Sequence, residues 1–129
     1  MSGSGFVKYY RLYCDEASES HWQDVEVKLE EQVFAPPARE IEISDPRQAA
    51  QSLFLRLRSG WNEPIHPTPI KQMLICLRGH VRVTASDGEH RDVGPGDVWY
   101  MEDTHGKGHH TEVTSEEDFE TVIVQFPDG

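Results

Sequence analysis

The sequence predicts an all-β chain folded as a small antiparallel barrel or sandwich, and three observations predict it. Short runs that alternate apolar and polar residues recur along the chain, turn residues separate them, and no segment keeps helical periodicity through three turns. About eight or nine short strands punctuated in this way suit two packed antiparallel sheets.

The elements follow in order. Met1 to Gly5 reads MSGSG, flexible Gly/Ser sequence that stays outside the fold, leaving residues 6–129 as a single domain. From Phe6 to about Ala38 aromatic and acidic residues mix, with one alternating strand at Val25-Glu26-Val27-Lys28-Leu29 before Pro36-Pro37 ends the stretch. A short alternating piece, Glu40 to Ile43, precedes Ser44-Asp45-Pro46, which suits a turn or one helical turn through Gln51.

The second half is denser in strands. Leu53 to Arg58, Ile70 to Leu77 and Val81 to Ala85 are predicted strands. Asp87-Gly88 then joins the last of these to Glu89–Val93 as a two-residue hairpin turn, because Asp-Gly accepts positive φ. Gly94-Pro95-Gly96-Asp97 turns the chain into Val98–Met101, and further strands fit His109–Val113 and Glu120–Phe126.

Charge and composition exclude several functions. Acidic residues outnumber basic ones 23 to 12 for a formal charge of −11, a field that repels nucleic-acid phosphates and anionic lipid, so neither is an expected partner. No apolar run reaches the roughly 20 residues that cross a bilayer, and the start lacks a basic-then-apolar leader, which gives a cytoplasmic expectation. Cys14 and Cys76 match no zinc spacing and read as reduced, structural thiols.

The chemistry-bearing residues fall into two groups. The first runs Gly60, five residues, His66, one residue, Thr68, three residues, Gln72, six residues, Gly79. Even separations let His66, Thr68 and Gln72 share one strand face if no bulge intervenes. The second opens with Gly96-Asp97-Val98-Trp99-Tyr100-Met101 and continues through Glu102-Asp103-Thr104-His105-Gly106-Lys107-Gly108 to His109. Val113 shares parity with His109, which makes His109 the inward histidine and turns His110 outward with Glu112.

These two groups resemble the two signature motifs of the cupin superfamily over roughly Leu53 to Phe126. The resemblance implies a jelly-roll barrel with an N-terminal extension and a pocket where both motifs meet. It also implies a metal site, but Thr68 stands where a second histidine is expected and Gln72 where a glutamate is expected. The segments His66-Pro67-Thr68-Pro69 and Asp103-Thr104-His105-Gly106-Lys107-Gly108-His109 look most like small stand-alone bacterial-type cupins, a group that supplies no established activity.

Two readings of the pocket stay open. In one, His66, Gln72 and His109 weakly hold a divalent iron, manganese, nickel, zinc or copper ion, since neutral imidazole suits such metals. In the other the pocket is metal-free and these side chains bond to one another, to water or to a ligand. Secondary candidates for substrate contact are Arg56, Trp61, Thr68, Trp99, His105 and Lys107, although alternation with Leu53, Leu55 and Leu57 turns Arg56 outward. His80 and His90 belong to a hairpin and read as exposed, and His21 carries no specific signal.

Three function classes follow: a metal-dependent oxygenase, lyase or isomerase; a metal-free enzyme with His66 or His109 as general acid or base; and a non-catalytic small-molecule binding or sensory module. A small-molecule cupin enzyme, with or without a metal, ranks first, narrowly ahead of the binding module. A small molecule is the expected partner, together with a second copy of the chain. The homodimer expectation rests on the apolar run of Phe6, Val7, Tyr9, Tyr10, Leu12 and Tyr13.

Overall fold

The computed structural model describes residues 5–32, 35–36 and 39–127. Of the flexible start expected at Met1 to Gly5 only Gly5 is described, and it is buried, its carbonyl accepting the Leu29 N–H, while of the stop expected at Pro36-Pro37 only Pro36 is described. Eleven strands appear and, among the described residues, no helix. They are β1 (Phe6–Cys14), β2 (Ser20–Lys28), β3 (Glu30–Gln32), β4 (Ile41–Ile43), β5 (Gln51–Leu57) and β6 (Gln72–Arg78), followed by β7 (Val81–Ala85), β8 (His90–Val93), β9 (Val98–Glu102), β10 (His109–Val113) and β11 (Phe119–Gln125).

A six-stranded sheet ordered β2-β1-β9-β6-β11-β5 and a three-stranded sheet ordered β10-β7-β8 supply the two walls. Strand parity puts Leu74 and Cys76 of β6, Trp99 and Met101 of β9 and Phe119 and Ile123 of β11 on one inner face, and Val81, Val83 and Val113 on the other. These side chains form a single buried cluster, which joins the two sheets into one core. β3 and β4 make a separate two-stranded ribbon.

The second-half strands fall within a residue or two of their expected places, and Gly88 adopts φ of 96° in the Asp-Gly hairpin. The N-terminal third differs. β1 and β2 pair along their whole length as a long hairpin, and β1 also pairs in parallel with β9. Alternation fails to announce β1 because aromatic residues sit on both faces. Leu12 is buried and Tyr10 packs on the core, while Tyr9 stacks on Tyr100 at 4.0 Å between centroids. The apolar run behind the dimer expectation is therefore largely covered within the chain, leaving Phe6 and Val7 exposed. No helical turn forms between Ser44 and Ala50; Ala50 instead donates its N–H to the Gln125 carbonyl at 2.8 Å.

Both cysteines are free, and burial pushes the Cys76 thiol up to about 11, which keeps it protonated and inert at neutral pH.

The turn between β1 and β2 is braced by His21. Its Nε2 lies 2.6 Å from an Asp15 oxygen and its Nδ1 lies 2.8 Å from an Asp87 oxygen. Two carboxylates on both nitrogens require both to donate, so the ring is held as imidazolium. The Asp15 hydrogen bond, reinforced by Asp87, raises the His21 pKa above 6.5, and the same bond holds Asp15 below 3.8. Between pH 6.5 and the raised value the folded chain binds a proton that the unfolded chain has released, so stability falls as pH rises there. The Asp15 contribution is lost at the opposite end, as pH falls below 3.8. His21→Gln is expected to flatten the alkaline decline of the melting temperature between about pH 6 and about pH 9. A variant that kept the full decline would assign it to another group.

Candidate functional site

The inner faces of the two sheets leave a cavity of about 350 Å³ at the end where the two motifs meet. Its depth is apolar: Leu55 and Leu57 of β5, Leu74 of β6, and Phe119 and Ile123 of β11 line it. Trp61, His66, Trp99, His109 and Thr111 line the rest, together with Gln72. Trp61 and His66 are exposed, which marks the open side. A larger depression of about 610 Å³ lies outside the barrel along β1, β2 and the start of β9, where Lys8, Asp24 and Glu26 are among its lining residues.

The cavity's polar side is organised by a buried chain of three residues. Asp103 is fully buried, and Thr68 Oγ1 donates to its Oδ1 at 2.7 Å. Its Oδ2 lies 2.6 Å from His109 Nδ1. A carboxylate accepts only, so Nδ1 carries a proton, and in the neutral ring the lone pair is on Nε2. Nε2 has no hydrogen-bond partner among the described residues. His66 is set the same way: its Nδ1 lies 2.9 Å from the Pro67 carbonyl, an acceptor, which leaves Nε2 with the lone pair. The two rings sit 5.4 Å apart between centroids, and Trp99 meets His109 edge-on at 5.3 Å.

Backbone pairing fixes these side chains. His66 and His109 exchange both N–H···O bonds, at 3.1 and 3.0 Å, and the Thr68 N–H donates to the Asp103 carbonyl at 3.0 Å. Gly108 permits the approach, with φ of 79° and room for a Cβ denied by the His66 carbonyl group. From the other side, Ser20 Oγ donates to the Gly108 carbonyl at 2.6 Å and the Lys107 N–H donates to the Ser18 carbonyl at 3.0 Å. The turn braced by His21 thus holds the loop that carries Asp103 and His109.

Of the residues singled out in the sequence, His66, Thr68, Gln72, Trp61, Trp99 and His109 line this one cavity. The even spacing of His66, Thr68 and Gln72 does not make them one strand face. His66 belongs to an isolated bridge, residues 67–71 form no strand, and Gln72 opens β6. Thr68 fills no ligand position; its hydroxyl is consumed by Asp103. Gln72 Oε1 accepts from Gln125 at 3.0 Å and its Nε2 faces Met101 Sδ at 3.3 Å.

Three substrate-contact candidates lie elsewhere. Arg56 points to the outer face and pairs with Glu120 at 2.6 Å, as alternation along β5 requires. His105 is exposed, and Lys107 reaches Glu19 at 3.3 Å. His110 turns away from the cavity, with Nε2 2.6 Å from Asn62 Oδ1. Asp103 is the residue that sequence reading passed over. The available signal was parity, since Asp103 continues the inward series Trp99 and Met101.

A small β-barrel with two motifs converging on an interior pocket defines the cupin class of protein. The cupin domain family model matches residues 53–125, more than half of the chain, and the chain belongs to that family. No curated relative matches it by sequence. Among solved structures, a cupin 2 conserved barrel domain protein of Salinispora arenicola is 17% identical, with 78% of this chain and 75% of that chain covered and a TM-score of 0.49. The Cnp3 cupin domain of Schizosaccharomyces pombe is 12% identical over 98% and 87%, with a TM-score of 0.48. A putative ethanolamine utilization protein of Salmonella typhimurium is 15% identical over 96% and 98%, with a TM-score of 0.41. The family assignment rests on the sequence match.

Two substitutions test the architecture of the site. Asp103→Ala leaves Thr68 and His109 buried without their acceptor and is expected to cost about 3 kcal/mol in urea denaturation. Gly108→Ala is expected to cost more than Gly88→Ala. Both positions have positive φ, but only at Gly108 does a Cβ meet backbone, whereas nothing lies within 4 Å at Gly88. Backbone strain alone accounts for about 1 kcal/mol at Gly88. Equal losses at the two glycines would contradict the tight approach of Gly108 to His66.

Proposed function

We propose that this cupin binds a small, largely apolar molecule in the cavity between its sheets, without a resident metal ion, and that His109 Nε2 is the polar contact that orients it. The observation that carries this reading is the Thr68–Asp103–His109 chain, which fixes one imidazole lone pair at an otherwise apolar wall. Pockets of this kind, apolar with a few placed polar groups, are the usual form of small-molecule sites.

The donor chemistry supports the metal-free half of the proposal. Catalytic metal sites use about three protein ligands and structural ones about four. Here the two imidazoles are the available nitrogens; both Asp103 oxygens are engaged and the Gln72 amide oxygen is taken by Gln125. Among the described residues no group of three or more histidine, cysteine, aspartate or glutamate side chains gathers to hold an ion. The residues do not fit the family's metal. On this reading the binding module, second in the sequence-based order, moves ahead of the small-molecule enzyme.

The same arrangement has acid–base capacity. A proton taken from a bound molecule by Nε2 leaves an imidazolium whose charge Asp103 offsets from the far side of the ring, as carboxylate–histidine pairs do elsewhere.

The test uses the neutral fluorophore N-phenyl-1-naphthylamine and a zinc titration on chelator-treated protein. One fluorophore per chain is expected to bind with enhanced emission, and Leu55→Glu is expected to weaken binding at least about tenfold by placing a charge in the apolar wall. Chelation is expected to leave the melting temperature unchanged. Stoichiometric zinc or iron that survives purification and is lost in His109→Ala would overturn the metal-free reading.

A further inference from the structure

The polar atoms of the cavity are unequal in kind, and this inequality specifies a ligand class. The inference rests on the small-molecule reading above and deepens it. His109 and His66 both line the cavity, and each Nδ1–H is committed, to Asp103 and to the Pro67 carbonyl, so each ring in its neutral form offers Nε2 as an acceptor. Among the described residues no lysine or arginine lines the cavity. Arg56, singled out in the sequence as a substrate contact, is held outside by Glu120. An anionic ligand would lose its hydration without gaining a countercharge and would enter against a formal charge of −11. A ligand that only accepts hydrogen bonds could use the Thr111 hydroxyl or the Trp99 indole N–H, unpartnered among the described residues, but it would leave both imidazole lone pairs without a donor.

Shape narrows the class further. Trp61, Trp99 and Phe119 give the cavity ring surfaces, and about 350 Å³ is near the lower end of ligand pockets. We infer that the cavity takes a small, flat, uncharged aromatic molecule bearing a hydroxyl group, with the O–H donated to His109 Nε2. A phenolic O–H suits this position because it is the most acidic common neutral donor, and it binds an imidazole nitrogen more strongly than an aliphatic alcohol does. Thr111, two residues beyond His109 on the same strand face, lines the cavity with a hydroxyl that can donate back to the phenol oxygen.

Asp103 is the positioning residue for this selectivity. A carboxylate forces Nδ1 to donate, whereas an asparagine at the same place, with its oxygen kept on Thr68, turns an amide N–H toward Nδ1. The ring then carries its proton on Nε2 and presents a donor instead of an acceptor. Asp103→Asn therefore changes what the cavity recognises while changing neither its volume nor its apolar wall.

Three probes of one ring size decide the matter by calorimetry near neutral pH: 2-naphthol, 2-methoxynaphthalene and 2-naphthoate. In the parent chain, 2-naphthol is expected to bind at least about tenfold tighter than the ether, the difference made by one hydrogen bond to a fixed acceptor. The carboxylate is expected to bind at least as weakly as the ether. In Asp103→Asn the naphthol-to-ether ratio is expected to fall toward one or below, and Thr111→Val is expected to reduce it only in part. Equal affinity for naphthol and ether in the parent, or tighter binding of the carboxylate, overturns the hydroxyl inference while leaving the apolar pocket intact. Failure of all three probes, together with failure of N-phenyl-1-naphthylamine, overturns the pocket reading itself. The parent comparison needs no variant, so a poorly folding Asp103→Asn chain does not protect the inference.

Discussion

The buried carboxylate of Asp103 is the constraint around which the site is arranged. A carboxylate removed from water costs several kcal/mol unless its oxygens are bonded, and here Thr68 satisfies one and His109 the other. Those bonds tie three separate segments together: the loop after the first histidine, the end of the ninth strand and the start of the tenth. Thr68 and His109 are themselves buried, so each needs Asp103 as much as Asp103 needs them. The position and tautomer of the imidazole at the cavity wall follow from this mutual requirement.

The same arrangement bears on the metal chemistry that the family resemblance implies. A ligating histidine commonly gives its second nitrogen to a carboxylate, so the Asp103–His109 pair resembles the support of a metal ligand. The neighbours that would complete such a site are committed elsewhere: Thr68 bonds to the supporting carboxylate, and Gln72 is part of an amide chain with Gln125. Positive charge is likewise spent outside. Arg11, Arg56, Arg78, Arg82 and Arg91 each meet an acidic partner at the surface, where such pairs contribute little stability. Among the described residues no lysine or arginine lines the cavity.

The N-terminal hairpin supports the site although it lies before the family-matched segment. Its turn receives the Lys107 N–H, Ser20 anchors the Gly108 carbonyl, and Gly106 has no room for a Cβ against Cys14 Sγ at 2.7 Å and the Ser18 carbonyl at 2.7 Å. The loop that delays the second motif's histidine is thus packed on both sides. Its glycines are used for close approach, and His105 and Lys107 remain at the surface.

The sequence by itself determined the strands of the second half, the Asp-Gly hairpin and the inward parity of His109, because each is a local property: side chains alternate with period two and turns demand particular residues. It also placed His66 and Gln72 near His109 through motif spacing. It did not reveal the first strand, whose two faces are both covered by aromatic packing, so alternation vanished. Nor did it reveal Asp103, which looked like one more acidic residue in a chain with 23 of them. Tertiary structure alone decided that role, because the worth of a buried carboxylate depends on which donors reach its oxygens, and those donors lie 35 residues before it and six after it in the chain.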